Sequence, residues 1–153
     1  MEIRQLTDRV EKQSVTRLIL EALPDWFGIP EATEDYIAQS ADKIFFCAYD
    51  QDRPIGFLYL KETGNATVEL YVMGVLKEFH RNGIGRKLFQ RAKEAADEAG
   101  YSFMQVKTVQ MGNYEEYDQT NRFYLSLGFQ EFEVFPELWG VQNPCQIYIM
   151  SLR

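Results

Sequence analysis

The sequence predicts one α/β domain built on a mixed sheet of about seven strands, flanked by about four helices. Three observations predict it. Strand-like runs at Lys43 to Asp50, Ile55 to Glu62 and Thr67 to Val75 follow one another across short turns. Strands joined so tightly are antiparallel neighbours. The last of them enters a loop with Gly83 and Gly85, then a long helical pattern, then another strand. A strand–helix–strand unit implies a parallel pair with a right-handed crossover, so the sheet starts antiparallel and turns parallel in its middle. Finally, 153 residues, 46% hydrophobic and 25% charged, suit one domain with a sizeable core, running from residue 1 to 153 without repeats or linkers.

Each element has its own reason. Glu2 to Leu6 reads as a short first strand. Thr7 or Asp8 can cap the helix that follows, with Glu11 completing a capping-box variant. Val15, Leu18, Ile19 and Ala22 recur at helical spacing, and Pro24 ends the run. Residues 23–30 form a loop rich in aromatics and prolines, and a short helix follows from Glu34 to Ser40. Gln51 to Pro54 and Gly64-Asn65 are the turns between the three central strands. Ile84, Leu88, Ala92, Ala95, Ala96 and Ala99 mark the long helix, closed by Gly100. Ser102 to Val109 is a fifth strand, and residues 110–118 read as a polar, tyrosine-rich loop. Thr120, Phe123, Tyr124 and Leu127 give a last helix, closed by Gly128. Strands at Gln130 to Pro136 and Cys145 to Leu152 complete the chain, separated by a loop carrying Trp139.

Composition narrows the function. The net charge of -7 argues against nucleic acid, which favours basic surfaces, and is compatible with a cationic partner. No apolar run approaches the ~20 residues that span a bilayer, so no membrane partner is expected. The first residues lack the apolar core of a signal peptide, and a cytoplasmic location is the expectation. Cys47 and Cys145 make no metal spacing, and no metal is expected; Cys47 reads as an inert core thiol.

The strand, Gly-x-Gly loop and helix form a phosphate-binding arrangement. A helix start leaves unsatisfied N–H groups at the positive end of the dipole, and glycines let a phosphate approach the backbone. A dinucleotide fingerprint needs a third glycine where Leu88 stands, and a Walker A loop needs Gly-Lys-Ser/Thr, which the chain lacks. His80-Arg81-Asn82-Gly83-Ile84-Gly85 instead resembles motif A of the GCN5-related N-acetyltransferase (GNAT) superfamily, Gln/Arg-x-x-Gly-x-Gly/Ala, with His80 where Gln or Arg is usual. Phe123-Tyr124-Leu125-Ser126-Leu127-Gly128-Phe129 resembles a second signature, Phe-Tyr-x-x-x-Gly-Phe, at its expected place. With the element order, the resemblance covers nearly the whole chain. It implies a GNAT-type mixed, mostly antiparallel twisted sheet, splayed between the fourth and fifth strands.

The resemblance also implies chemistry: transfer of an acetyl group from acetyl-CoA (coenzyme A) to an amine, with no metal. Backbone N–H groups around Arg81, Gly83, Gly85 and Arg86 would meet the pyrophosphate, with Arg81, Arg86 and Lys87 adding charge. His80 either adds a ring N–H or is a surface side chain. The pantetheine arm would run along the fourth strand near Met73 and Val75, where a backbone N–H would polarise the thioester carbonyl. Glu69 is the candidate base, with an exposed edge carboxylate as the alternative. Tyr124 is the candidate acid, with a core tyrosine as the alternative. Trp26 and Phe27 are candidates for acceptor contact, or else pack beneath their loop. Glu31, Glu34 and Asp35 would favour a cationic acceptor, unless they are a solvated face. Family members often carry an Asn before the last helix, and neither Asn113 nor Asn121 matches it cleanly. The acceptor is a small-molecule amine or a protein lysine or N-terminus. The competing class is a non-catalytic acyl-CoA-binding or regulatory module. Homodimers are common in the family.

Overall fold

A computed structural model describes residues 1–153. The elements are β1 (Glu2–Leu6), α1 (Arg9–Glu21), α2 (Pro30–Ser40), β2 (Ile44–Asp50), β3 (Arg53–Glu62), β4 (Thr67–Val75), α3 (Ile84–Glu98), β5 (Phe103–Val109), α4 (Glu115–Ser126), β6 (Gln130–Phe135) and β7 (Cys145–Ser151). A single 3-10 turn, Lys77–Phe79, follows β4. The seven strands lie in the order β1-β2-β3-β4-β5-β7-β6. β1 with β2, β2 with β3, β5 with β7 and β6 with β7 are antiparallel. β4 and β5 are the predicted parallel pair. Their register covers only Thr67↔Phe103, Val68↔Met104 and Glu69↔Gln105. The ladder stops there, although β4 runs on to Val75 and β5 to Val109.

The chain divides into two compact units: 1–61 with 70–95, and 62–69 with 96–153. In the first unit, Phe45 stacks on both Phe57 and Tyr59, and all three are fully buried. The α1 stripe differs from the predicted one. Leu18 is 52% exposed, while Lys12, Val15, Thr16, Ile19 and Leu20 are buried. The buried arc is centred about one residue away from the apolar-only pattern, because Thr16 and Leu20 are buried where Leu18 and Ala22 are expected, and Lys12 lies in the middle of it. Its Nζ donates to the carbonyls of Lys43 (2.7 Å) and Ala41 (3.4 Å), which pairs two of the ammonium's three hydrogens with carbonyls just past α2. α1 approaches β4 at Gly74, where a Cβ would lie 3.0 Å from Ile19 Cγ2 and 3.1 Å from Leu23 Cδ1.

Two helices begin earlier than the sequence suggests. α2 starts at Pro30, where proline's missing N–H costs nothing in the first turn. α4 starts at Glu115, and Glu115, Glu116 and Asp118 in its first turn complement the dipole. β3 likewise begins within the expected turn, at Arg53, with Pro54 beside a register shift between Ala48 and Tyr49.

In the second unit, Asn121 is fully buried. Its Nδ2 donates to the carbonyls of Val109 (2.9 Å) and Tyr117 (2.7 Å), and its Oδ1 accepts from Tyr148 (2.5 Å). This amide ties α4 to β5 and β7. β6 is an edge strand, as β1 is at the other end; its pairing with β7 shifts between Glu131 and Glu133, and Phe132 there is 60% exposed.

Candidate functional site

The first unit carries the glycine loop. β4 ends at Val75, and the Leu76 N–H donates to the Ile55 carbonyl (2.9 Å). After the 3-10 turn, Arg81 adopts φ 66° and Gly83 φ 76°. Left-handed backbone is costly for an arginine and nearly free for a glycine, so Gly83 is required by conformation. A Cβ there would meet no heavy atom within 4 Å, so open space adjoins the backbone. The Lys87 N–H to Gly83 carbonyl bond (3.1 Å) opens the ladder of α3, so the Ile84 and Gly85 amides precede any carbonyl of the helix. Arg81, Arg86 and Lys87 are exposed around them. This backbone suits a diphosphate.

His80 turns back onto its own strand. Its Nε2 lies 2.6 Å from the Val75 carbonyl, which can only accept, so this nitrogen carries the proton. The ring also meets the edge of Trp26 at 5.8 Å. Lys77 pairs with Asp25 (2.6 Å) and lies 5.5 Å from the Trp26 ring centre. Trp26 thus joins the 23–30 loop to the glycine loop. Phe27, also half-buried, packs edge-on against Tyr36 at 6.2 Å. Tyr36 in turn meets Tyr71 of β4 at 5.7 Å. Met73 and Val75 are half-buried on the same strand. Of the three acidic side chains expected to attract a cation, Glu31 is exposed, and Glu34 and Asp35 are engaged. Arg17 grips Glu34 through two hydrogen bonds (2.7 and 2.8 Å), and Gln39 donates to Asp35 (2.7 Å).

The second unit carries Glu69 and Tyr124. Glu69 is only 3% exposed, unlike a solvated edge carboxylate. Its Oε1 lies 3.2 Å from Lys107 Nζ and 3.5 Å from Gln105 Nε2. Gln105 and Lys107 were not legible as site residues; their signal is alternation along β5 beside Glu69. Tyr124 is 8% exposed, its ring near Phe123, Phe129 and Tyr148. Burial pushes its phenol well above the ordinary value, and the nearby charge of Glu69 pushes it further the same way. Asn121 has spent both amide hydrogens on backbone carbonyls, and Asn113 is exposed, donating to the Gln110 carbonyl (3.4 Å). Burial pushes the Cys47 thiol up to about 12 and that of Cys145 to about 11, which suits inert thiols. No helix is long and apolar enough to cross a membrane.

The model of the acetyltransferase (GNAT) domain matches residues 41–131, and the chain belongs to that family. No curated protein matches it. Among solved structures, a protein assigned as a GNAT-family acetyltransferase from Desulfovibrio desulfuricans superposes with a TM-score of 0.83 at 18% identity, covering 99% of both chains. An aminoglycoside 6'-N-acetyltransferase complexed with coenzyme A gives 0.75 at 17% identity, over 100% of this chain and 98% of that one. YncA from Salmonella typhimurium, with acetyl-CoA, gives 0.77 at 18% identity, over 100% and 94%. These likenesses show the shared fold.

Proposed function

We propose that the protein is an N-acetyltransferase that moves an acetyl group from acetyl-CoA directly to a primary amine in a ternary complex. Amides around Arg81, Gly83, Gly85 and Arg86 hold the diphosphate, with charge from Arg81, Arg86 and Lys87. His80 serves that loop by bracing it against the Val75 carbonyl. The pantetheine arm follows β4, and a backbone N–H of Met73 or Val75 polarises the thioester carbonyl. Glu69 takes the proton of the acceptor ammonium, directly or through a water, because an ammonium has no lone pair for attack. The amine then attacks the carbonyl carbon, the C–S bond breaks, and Tyr124 gives its proton to the departing thiolate; the nitrogen sheds its second proton to solvent as the amide forms, and solvent returns a proton to Tyr124 and takes the one held by Glu69. Trp26 and Phe27 belong to the acceptor side.

The observation that carries this reading is that a carboxylate and a phenol, Glu69 and Tyr124, are both buried in the same unit, at 3% and 8% exposure. A phenol held protonated lies near enough to a buried carboxylate to feel its charge. That combination suits one group that donates and one that accepts. The test is thiol release from acetyl-CoA across a panel of small amines and peptides, beside thermal shift with coenzyme A. Amine-dependent release is the expected result. Binding of coenzyme A with no release on any amine would instead make the chain an acyl-CoA-binding module.

A further inference from the structure

The aromatic chain in the first unit ends in a group of linked donors, Lys61, Gln39 and Tyr71. Lys61, at the end of β3, is half-buried and forms an ion pair with no carboxylate. Its Nζ lies 4.5 Å from the Tyr71 ring centre and donates to Gln39 Oε1 at 3.0 Å. Gln39 Nε2 donates to Asp35 (2.7 Å) and to the Tyr71 hydroxyl (3.3 Å). The donors can be counted from this. An amide nitrogen has two hydrogens, and Gln39 has spent both. An ammonium has three, and Lys61 has spent one. The Tyr71 hydroxyl accepts from Gln39 and so keeps its own proton to give. Two ammonium hydrogens and one phenolic hydrogen therefore remain, on side chains braced by packing. Tyr71 is wedged between Tyr36 (5.7 Å) and Tyr59 (5.9 Å), and the Tyr59 hydroxyl is itself anchored on the Tyr36 carbonyl (2.7 Å).

A rigid patch with spare donors, one of them cationic, suits an anion. It stands two residues from Met73 on β4, a span of about 6.6 Å along a strand. The acidic neighbours do not cancel it. Glu34 is held by Arg17, and Asp35 faces the Gln39 amide hydrogens instead of the ammonium. Resting on the acetyl-transfer reading above, we propose that the acceptor amine carries a carboxylate, and that Lys61 and Tyr71 bind it. The acceptor class is then amino-acid-like, with amine and carboxylate a few bonds apart, in place of a polycation.

The experiment is thiol release with the twenty protein amino acids, β-alanine and γ-aminobutyrate, each beside its own carboxamide, with spermidine and kanamycin as polycations. The wild-type chain should favour at least one acid over its carboxamide by tenfold or more in kcat/KM. Lys61→Met should erase most of that preference, and Tyr71→Phe part of it, while the KM for acetyl-CoA moves less than twofold. Preference for the polycations, an unchanged acid-to-amide ratio in Lys61→Met, or a large rise in its acetyl-CoA KM would overturn the assignment. If no amine supports turnover, calorimetry of the same acids against the coenzyme A complex decides separately. Binding that Lys61→Met weakens keeps the anion site while the enzymatic reading falls. No binding removes the anion site as well.

Discussion

Replacing Tyr124 with phenylalanine isolates the proposed acid from its scaffold. The ring contacts survive: Phe123 at 5.7 Å, Phe129 at 5.9 Å and Tyr148 at 6.4 Å from the Tyr124 centroid. Only the hydroxyl is lost, so stability should change by no more than about 1 kcal/mol. For a chain of this length that is a shift of roughly 2–4 °C in Tm. A general acid contributes about 10²–10⁴ in rate, so kcat should fall by about a hundredfold or more. Neither substrate's KM should move more than about twofold, because the group acts on the leaving thiolate, after binding. The raised phenol stays protonated throughout the usual assay range, so the ratio of wild-type to variant rates should be the same at mildly acidic and mildly alkaline pH. The assay is thiol release under saturating acetyl-CoA. Equal rates for the two proteins, or a loss confined to alkaline pH, would refute the role.

Glu69→Gln should lower kcat by about 10²-fold with little change in the KM for acetyl-CoA; Lys107→Met should destabilise the fold by about 1–3 kcal/mol in thermal melts, because it leaves the 3% exposed Glu69 carboxylate without its ammonium. Gly83→Val with Gly85→Val should raise the KM for acetyl-CoA about tenfold or more, since valine resists the φ of 76° at position 83 and fills the approach space; an unchanged KM removes the loop from cofactor binding. Gly74→Ala should cost about 1–3 kcal/mol in chemical denaturation, because its methyl would sit 3.0 Å from Ile19 and 3.1 Å from Leu23. Alkali gives a further check, through Tyr59 and Tyr124, whose phenols burial raises above the ordinary value near 10. A folded value above the unfolded one gives stability that is complete below about pH 10 and declines above it, by about 1.4 kcal/mol per pH unit for each such phenol. Denaturation midpoints should therefore fall steeply beyond pH 10, and Tyr59→Phe should flatten the fall.

The architecture was legible because strand runs, turn residues and two glycine-marked helix ends all pointed the same way. What escaped was set by contacts distant in sequence. Lys12 looks like a surface residue until the carbonyls of Ala41 and Lys43 arrive beside it, and Leu18 falls outside the buried arc that Lys12 shares with Thr16 and Leu20. Pro30 and Pro54 read as breakers, yet one opens a helix and the other lies within a strand, where local preference yields to position. The glycine loop and the pair Glu69 and Tyr124 could be named from motifs. Lys107 and Gln105 could not, because only the parallel register of β4 and β5 sets that stretch of β5 beside Glu69. Nor could the Lys61–Gln39–Tyr71 group, whose members come from β3, α2 and β4.

The β6 edge of the sheet has a consequence for self-association. A flat, neutral margin of sheet invites a second molecule to continue it. Here the backbone is kinked at Phe132, and Glu131 and Glu133 flank the kink. Two copies meeting margin to margin would bring like charges together on distorted main chain. The β6 margin is therefore poorly suited to sheet extension by a second copy.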